Sequence, residues 1–226
     1  MKIVPLAPRV LSCRALAAAA PALLAGYGVD PARFTSIGLL TCDQDDSLYV
    51  ALDHATKFAE VEVVFARSFY AGASHGSGPL SGESLGVIAG AEPDSIAIGL
   101  EAAVRALEEE ICFYQVQGGG PAFFPHVIAE TGTYLSAQAG IAAGEPMAYL
   151  IAPPMESSIA LDAALKAADV RMLKCFPPPT ETNYAGAYLG GKLDALEAAA
   201  RAFAEAVCDV AERPKAGLRR SAERRS

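Results

Sequence analysis

Tryptophan is absent from this 226-residue chain, histidine occurs three times, and cysteine five times. Cys13, Cys42, Cys112, Cys175 and Cys208 are odd in number and form no CxxC pair, a pattern unlike that of a disulfide frame or a zinc site. They are expected to be small buried apolar residues in a reducing, cytoplasmic compartment. His54, His75 and His126 lack ligand-spaced partners, so no metal site is expected; His75, in a glycine-rich loop, is the one candidate for opportunistic metal capture. His126 follows Phe123-Phe124-Pro125 and reads as a packed residue at a helix start. No P-loop, dinucleotide fingerprint or nucleophile elbow is present, which removes the common cofactor-dependent and hydrolytic classes. Long apolar runs are missing too. Ala15–Ala25 is interrupted by Pro21 and falls well short of the roughly 20 residues that span a bilayer. Val10-Leu11-Ser12-Cys13 imitates a lipoprotein cleavage box, but Arg9 and Arg14 bracket it. An amphipathic first helix packed on a sheet is expected there, with no leader and no membrane contact.

What the chain has in quantity is apolar mass: 52% hydrophobic residues, 19% charged, and a mean hydropathy of +0.27. That excludes disorder and supplies a substantial core. Twenty glycines and fifteen prolines call for many tight turns. The net charge of −8 is uneven. Residues 213–226 hold six Lys/Arg and one Glu, leaving twelve basic against 25 acidic residues in the remainder. So acidic a body is not expected to bind nucleic acid. The basic stretch is expected to be a disordered extension, a docking peg at most.

The chain repeats itself at half length. Residues 51–61 (ALDHATKFAEV) match 160–170 (LDAALKAADV preceded by Ala160) at seven of eleven positions, offset 109. Residues 100–107 match 196–203 at six of eight, offset 96. Order is kept and register changes, as in a duplicated domain with a longer loop in its first copy. His54 faces Ala163 in this comparison, which points to a surface position. Domains are expected at 1–117 and 118–212, with Gly118-Gly119-Gly120 as the linker and 213–226 beyond.

Each copy reads as strand, helix, strand, glycine-rich loop, strand and helix. Ser36–Leu40 and Ser47–Val50 are short apolar runs around an acidic turn, and Leu52, Ala55, Phe58 and Ala59 recur at helical spacing. Val61–Phe65 and Leu85–Ala89 read as strands, and Pro93-Asp94-Ser95 opens a helix from about Ile96 to Glu110. Two α+β sandwiches follow, each a sheet flanked by helices.

The repeated helix-then-strand segment resembles the signature of bacterial microcompartment shell proteins, whose tiles enclose enzymes and pass substrates through pores. Two copies in one chain resemble the trimeric class. Four further segments are similar to its ethanolamine-utilisation branch: Cys42-Asp43-Gln44-Asp45-Asp46, Arg67–Gly76, Gly144–Pro154 and Pro177–Tyr184. The resemblance covers about residues 5–212. It implies α+β shell domains, circularly permuted and in tandem, each an antiparallel sheet flanked by helices.

For bare sequence, Asp45 and Asp46 are an ordinary exposed acidic turn and Glu83 lies in a Gly/Ser-rich loop. The resemblance implies more: Asp45, Asp46 and Glu83 match acidic positions that line a small pore within each subunit and bind the ammonium of ethanolamine. A carboxylate accepts charge-assisted hydrogen bonds from such a group. Backbone groups around Phe113, Thr182, Asn183 and Tyr184 match the remaining contacts. Lys57 and Lys166, at equivalent repeat positions, match the tile-edge lysine that reaches a neighbour's carbonyl; bare sequence reads them equally well as solvated helix faces. The loops around Tyr70–Leu80 and Pro177–Tyr184 are the candidates for a central gate.

Together these readings give a shell component: a homotrimer partnering other shell proteins and a small amine such as ethanolamine. No cofactor, no catalytic residue and no enzymatic activity are expected. The rival readings are a small-molecule-binding regulatory trimer that builds no shell, and an acid-pair hydrolase using the same carboxylates.

Overall fold

The computed structural model describes residues 2–68, 84–178 and 184–216. Its elements fall into two series with the same order. The first runs β1 (Ile3–Leu6), β2 (Val10–Leu16), α1 (Pro21–Gly26), β3 (Ser36–Cys42), α2 (Asp45–Phe58), β4 (Glu62–Ser68), β5 (Ser84–Gly90) and α3 (Pro93–Glu109). The second runs β6 (Phe113–Val116), β7 (Ala122–Ile128), α4 (Thr133–Ala139), β8 (Met147–Ala152), α5 (Pro154–Ala167), β9 (Val170–Phe176), β10 (Ala185–Gly191) and α6 (Leu193–Glu212). Two antiparallel sheets result, ordered β2-β3-β5-β4 and β1-β6-β7-β8-β10-β9.

The duplication is therefore complete, and deeper than the sequence matches suggest. α2 and α5 start at Asp45 and Pro154, which keeps the 109-residue offset. α3 and α6 start at Pro93 and Leu193, so the second offset is 100 where the sequence match has 96. The discrepancy of about one helical turn has a physical cause: a four-residue slip leaves an amphipathic helix's apolar stripe in phase. One asymmetry breaks the repeat. β1 pairs with β6, and β6 with β7, so strands from both series extend the second sheet.

The core lies in layers between helix pairs and sheets. Along β8, Met147, Tyr149 and Ile151 pack with Leu48, Leu52 and Leu107 of α2 and α3, while Ala148, Leu150 and Ala152 pack with Leu161, Leu196 and Phe203 of α5 and α6. The period of two in a strand sends alternate side chains to opposite faces, and both faces here are covered. The first sheet likewise has Leu40, Cys42 and Ile88 against α2 and α3, and Ile37, Val87 and Ala89 in a smaller cluster with Leu24 of α1. The α2–α3 pair thus sits between the two sheets and belongs to both.

Four local expectations are corrected. Ala15–Ala25 does not form one helix: its start completes β2, which pairs with β3, and α1 covers Pro21–Gly26 alone. Ser47–Val50 is helical, because Asp45 and Asp46 open α2 with acidic residues in the first turn, where the helix dipole favours them. Gly118-Gly119-Gly120 is a turn of the β6–β7 hairpin, with Gly118 and Gly119 at φ +91° and +83°, a region glycine enters without steric cost. His126 lies within β7, not at a helix start.

A polar joint ties α2 to α4. Gly132 leaves α4 without a capping side chain of its own. Asp53 supplies one from α2: its carboxylate accepts from the Gly132 N–H at 2.6 Å and the Leu135 N–H at 2.7 Å. Thr56 Oγ1 accepts from the Thr133 N–H at 3.0 Å and donates to the Asp53 carbonyl at 2.7 Å. A side chain at Gly132 would collide with the Asp53 carbonyl and Thr56 Oγ1. Burial raises the Asp53 pKa, and the hydrogen bonds from Leu135 and Gly132 oppose that rise.

Candidate functional site

The site grows from the link between β3 and α2. Asp43 accepts hydrogen bonds from Arg9 through its backbone N–H at 2.7 Å and its Nε at 2.8 Å. Gln44 Nε2 donates to the Leu6 carbonyl at 2.8 Å, and the Ser47 hydroxyl donates to Gln44 Oε1 at 2.7 Å. These bonds fasten the N-terminal strand across the start of α2. Beneath them, the Cys42 thiol donates to the Gln44 carbonyl at 2.9 Å, and burial pushes its pKa up to about 12, so it is neutral and unreactive. Ser84 donates to the Cys42 carbonyl at 3.0 Å, which holds the start of β5 next to the same link.

Above this link lies a depression of about 250 Å³, walled by Leu6, Asp43, Gln44, Asp45, Phe113 and Tyr184. Three of the residues marked in the sequence, Asp45, Phe113 and Tyr184, meet here from segments far apart in the chain. Phe113 is buried and stacks on Phe124 with ring centres 4.8 Å apart, and Tyr184 lies beside it at 6.4 Å. Burial raises the Tyr184 pKa, and the negative charges of Asp45, Asp46 and Glu156 raise it further, so its hydroxyl is neutral. One wall is therefore anionic and the other aromatic. Such a wall pair suits a small cation: carboxylates accept its hydrogen bonds and ring faces attract its charge.

Asp46 occupies a different place from Asp45. It is 5% exposed, and its Oδ1 accepts the hydroxyl of Tyr149 from β8 of the second series. Burial, then the charge on Asp46, pushes the Tyr149 phenol well above its ordinary range, so it remains a donor. Asp46 thus fixes the start of α2 to the second sheet and is not among the residues that wall the depression. Nothing in the sequence signals Tyr149, which lies 103 residues from its partner. Asp43 and Gln44 were legible as part of an acidic segment, but their role as fasteners was not.

Glu83, Thr182 and Asn183 lie outside the described residues, as does His75 and the Tyr70–Leu80 loop; of the second gate candidate, Pro177, Pro178 and Tyr184 are described. The two lysines occupy the last turns of α2 and α5, yet differ in partner: Lys57 donates to the Glu130 carbonyl of its own chain at 3.2 Å, and Lys166 pairs with Asp162 at 2.7 Å. His54 is half-buried, its ring 4.8 Å from that of Phe58. The cysteines are less uniformly buried than expected: Cys42 is buried, Cys175 exposed, and the others intermediate. Among the described residues no cluster of three or more metal-ligating side chains occurs, and no helix is long and apolar enough to cross a membrane.

The family model described as the BMC domain matches residues 36–117. The chain is 44% identical to "Bacterial microcompartment shell protein EutL" of Salmonella typhimurium, over 81% of this chain and 84% of that protein. It is 46% identical to the protein of the same name from Clostridium perfringens, over 92% of this chain and 95% of that one. The crystal structure of the Clostridium perfringens EutL superposes with a TM-score of 0.90, covering 96% of this chain and 98% of that chain.

Proposed function

The chain belongs to the EutL family of bacterial microcompartment shell proteins, a structural and non-catalytic family, and from that premise we propose that it forms a pseudohexagonal trimeric tile in the shell of an ethanolamine-utilising compartment. Six-fold shape from three chains is supported by the repeat itself: each chain carries two sheet–helix units of one element order. In this reading the two units, expected from the sequence at residues 1–117 and 118–212, divide between the end of α3 and the start of β6, and Lys57 and Lys166 meet neighbouring tiles at the seams.

The depression beside α2 is the small pore, and its cargo is a small primary amine such as ethanolamine. The observation that carries this is the convergence of Asp45 with Phe113 and Tyr184 in one cavity. Glu83 and Thr182–Asn183 complete the site. Their nearest described neighbours support it: Ser84 is bonded to the Cys42 carbonyl and Tyr184 lines the cavity. The loops around Tyr70–Leu80 and Pro177–Tyr184 form the central gate.

Ethanolamine has four heavy atoms, and at about −1 to −1.5 kcal/mol per atom its affinity is limited to the high-micromolar to millimolar range. Weak binding suits a pore, since a tightly held ligand would block passage. Calorimetric or NMR titration of the native protein and of Asp45→Asn tests the site. Asp45→Asn is expected to weaken binding roughly tenfold by removing one charge-assisted contact. Binding is also expected to fade as pH falls through the carboxylate range near 4. Equal affinity in both proteins would remove the acidic pore and leave family membership intact.

A further inference from the structure

The outer face of α6 carries a second acidic feature, far from the depression in sequence and unused by it. Glu205, Cys208, Asp209 and Glu212 line a groove of about 330 Å³, closed on its other side by Ile3 of β1. The spacing i, i+4, i+7 places the three carboxylates on one stripe of the helix. Ile3 is 40% exposed, so the groove has an apolar wall beside its acidic one.

The chain that follows α6 has the opposite charge. Residues 217–226 read Gly-Leu-Arg-Arg-Ser-Ala-Glu-Arg-Arg-Ser, four arginines against one glutamate. Pro214 stands two residues past Glu212, the last residue of α6, and the Ala216 N–H donates to the Arg213 carbonyl at 3.0 Å, closing a turn. Reach is ample: ten residues extend up to roughly 33 Å, whereas Glu205 lies seven residues back along the helix, about 10 Å. Arg213 already follows the same rule at the start of the segment, pairing with Asp209.

We propose that residues 217–226 fold back into the α6–β1 groove of their own chain, with Leu218 against Ile3 and the arginines along Glu205, Asp209 and Glu212. The clasp would cover the Ile3 side chain and neutralise part of the acidic stripe. It is independent of the pore reading, since it uses none of the residues of the depression.

Limited trypsin digestion of the full chain tests it, with cleavage after Arg219 and Arg220 followed by mass spectrometry. The comparison protein is the double variant Glu205→Gln/Glu212→Gln, whose changes sit on the exposed helix face. At low salt the native chain is expected to be cut at these sites at least about threefold more slowly than the variant, and the gap is expected to close at 0.5 M salt, because exposed ion pairs are weak and screened. A second arm adds an excess of a synthetic peptide of residues 217–226 to the chain shortened at Ala216. The Glu205 and Cys208 amide resonances are expected to shift, and to stay unmoved in the shortened double variant. Equal cleavage rates in the first arm would overturn the proposal. Protection that is lost on dilution would also overturn it, by assigning the groove to a neighbouring copy's segment.

Discussion

Tyr149 and His126 show how single residues in the second sheet serve the first half of the chain. The Tyr149 hydroxyl is donated to Asp46 in a buried setting. Tyr149→Phe keeps the ring and deletes the donor, so it is expected to cost about 1–3 kcal/mol in urea unfolding, the price of leaving a buried carboxylate short of a partner. An unchanged unfolding midpoint would show that Asp46 is satisfied without it. His126 stacks on Phe124 with centres 5.1 Å apart, and burial followed by the positive charge of Lys57 lowers its pKa to about 4. Its unfolded value is about 6.5. The unfolded chain therefore takes up this proton first as pH falls. The stability tied to neutral His126 is whole above about 6.5 and is lost progressively towards 4, by roughly 2–3 kcal/mol. Urea midpoints at pH 7 and 4.5 are expected to converge in His126→Gln relative to the native protein. The sequence showed His126 as a packed residue, but neither its setting in β7 beside Lys57 nor the Tyr149–Asp46 bond was legible, because these depend on other elements: Asp46 lies 103 residues from Tyr149, and Lys57 is on α2.

At the scale of elements, the helices with a strong apolar stripe and the strands β3, β4 and β5 were legible from periodicity. The acidic residues at the start of α2 were legible too, though as a turn. The first thirty residues were not. Ala-rich sequence around Leu16 favours helix by propensity, yet residues 10–16 pair along β3, with Val10 and Cys13 packed half-buried against the core, and tertiary pairing prevails over a weak local preference. The same limit hid the joint between α2 and α4, in which Asp53 and Thr56 cap a helix that begins some 80 residues later. Gly132→Ala is expected to destabilise the protein by about 2–4 kcal/mol, because the added methyl meets backbone oxygen as well as a side chain. Asp53→Ala is expected to cost a similar amount through two unpaired N–H groups at the start of α4. Thermal or urea unfolding measures both, and a loss below about 0.5 kcal/mol in each would mean that α4 does not depend on the joint.

The whole molecule explains why duplication was readable and its consequences were not. Seven identities at offset 109 marked the repeat, but the second sheet gains two edge strands, and α2 and α3 become a shared layer between sheets. A depression at that junction is formed by both halves at once: Asp45 belongs to α2, whereas Tyr184 precedes β10. In the proposed pseudohexagon the two like units of one chain make one-third of the ring, so a solution mass near three times 23.4 kDa is expected from light scattering. Lys166 projects from an exposed turn of α5, paired with Asp162 of its own helix. Lys166→Ala is therefore expected to leave that mass unchanged while weakening contacts between tiles. The central claim, that this chain builds shell, is tested most directly by electron microscopy of the concentrated native protein. Flat hexagonally packed sheets are the result this account predicts; discrete, unassociated particles under the same conditions would contradict it.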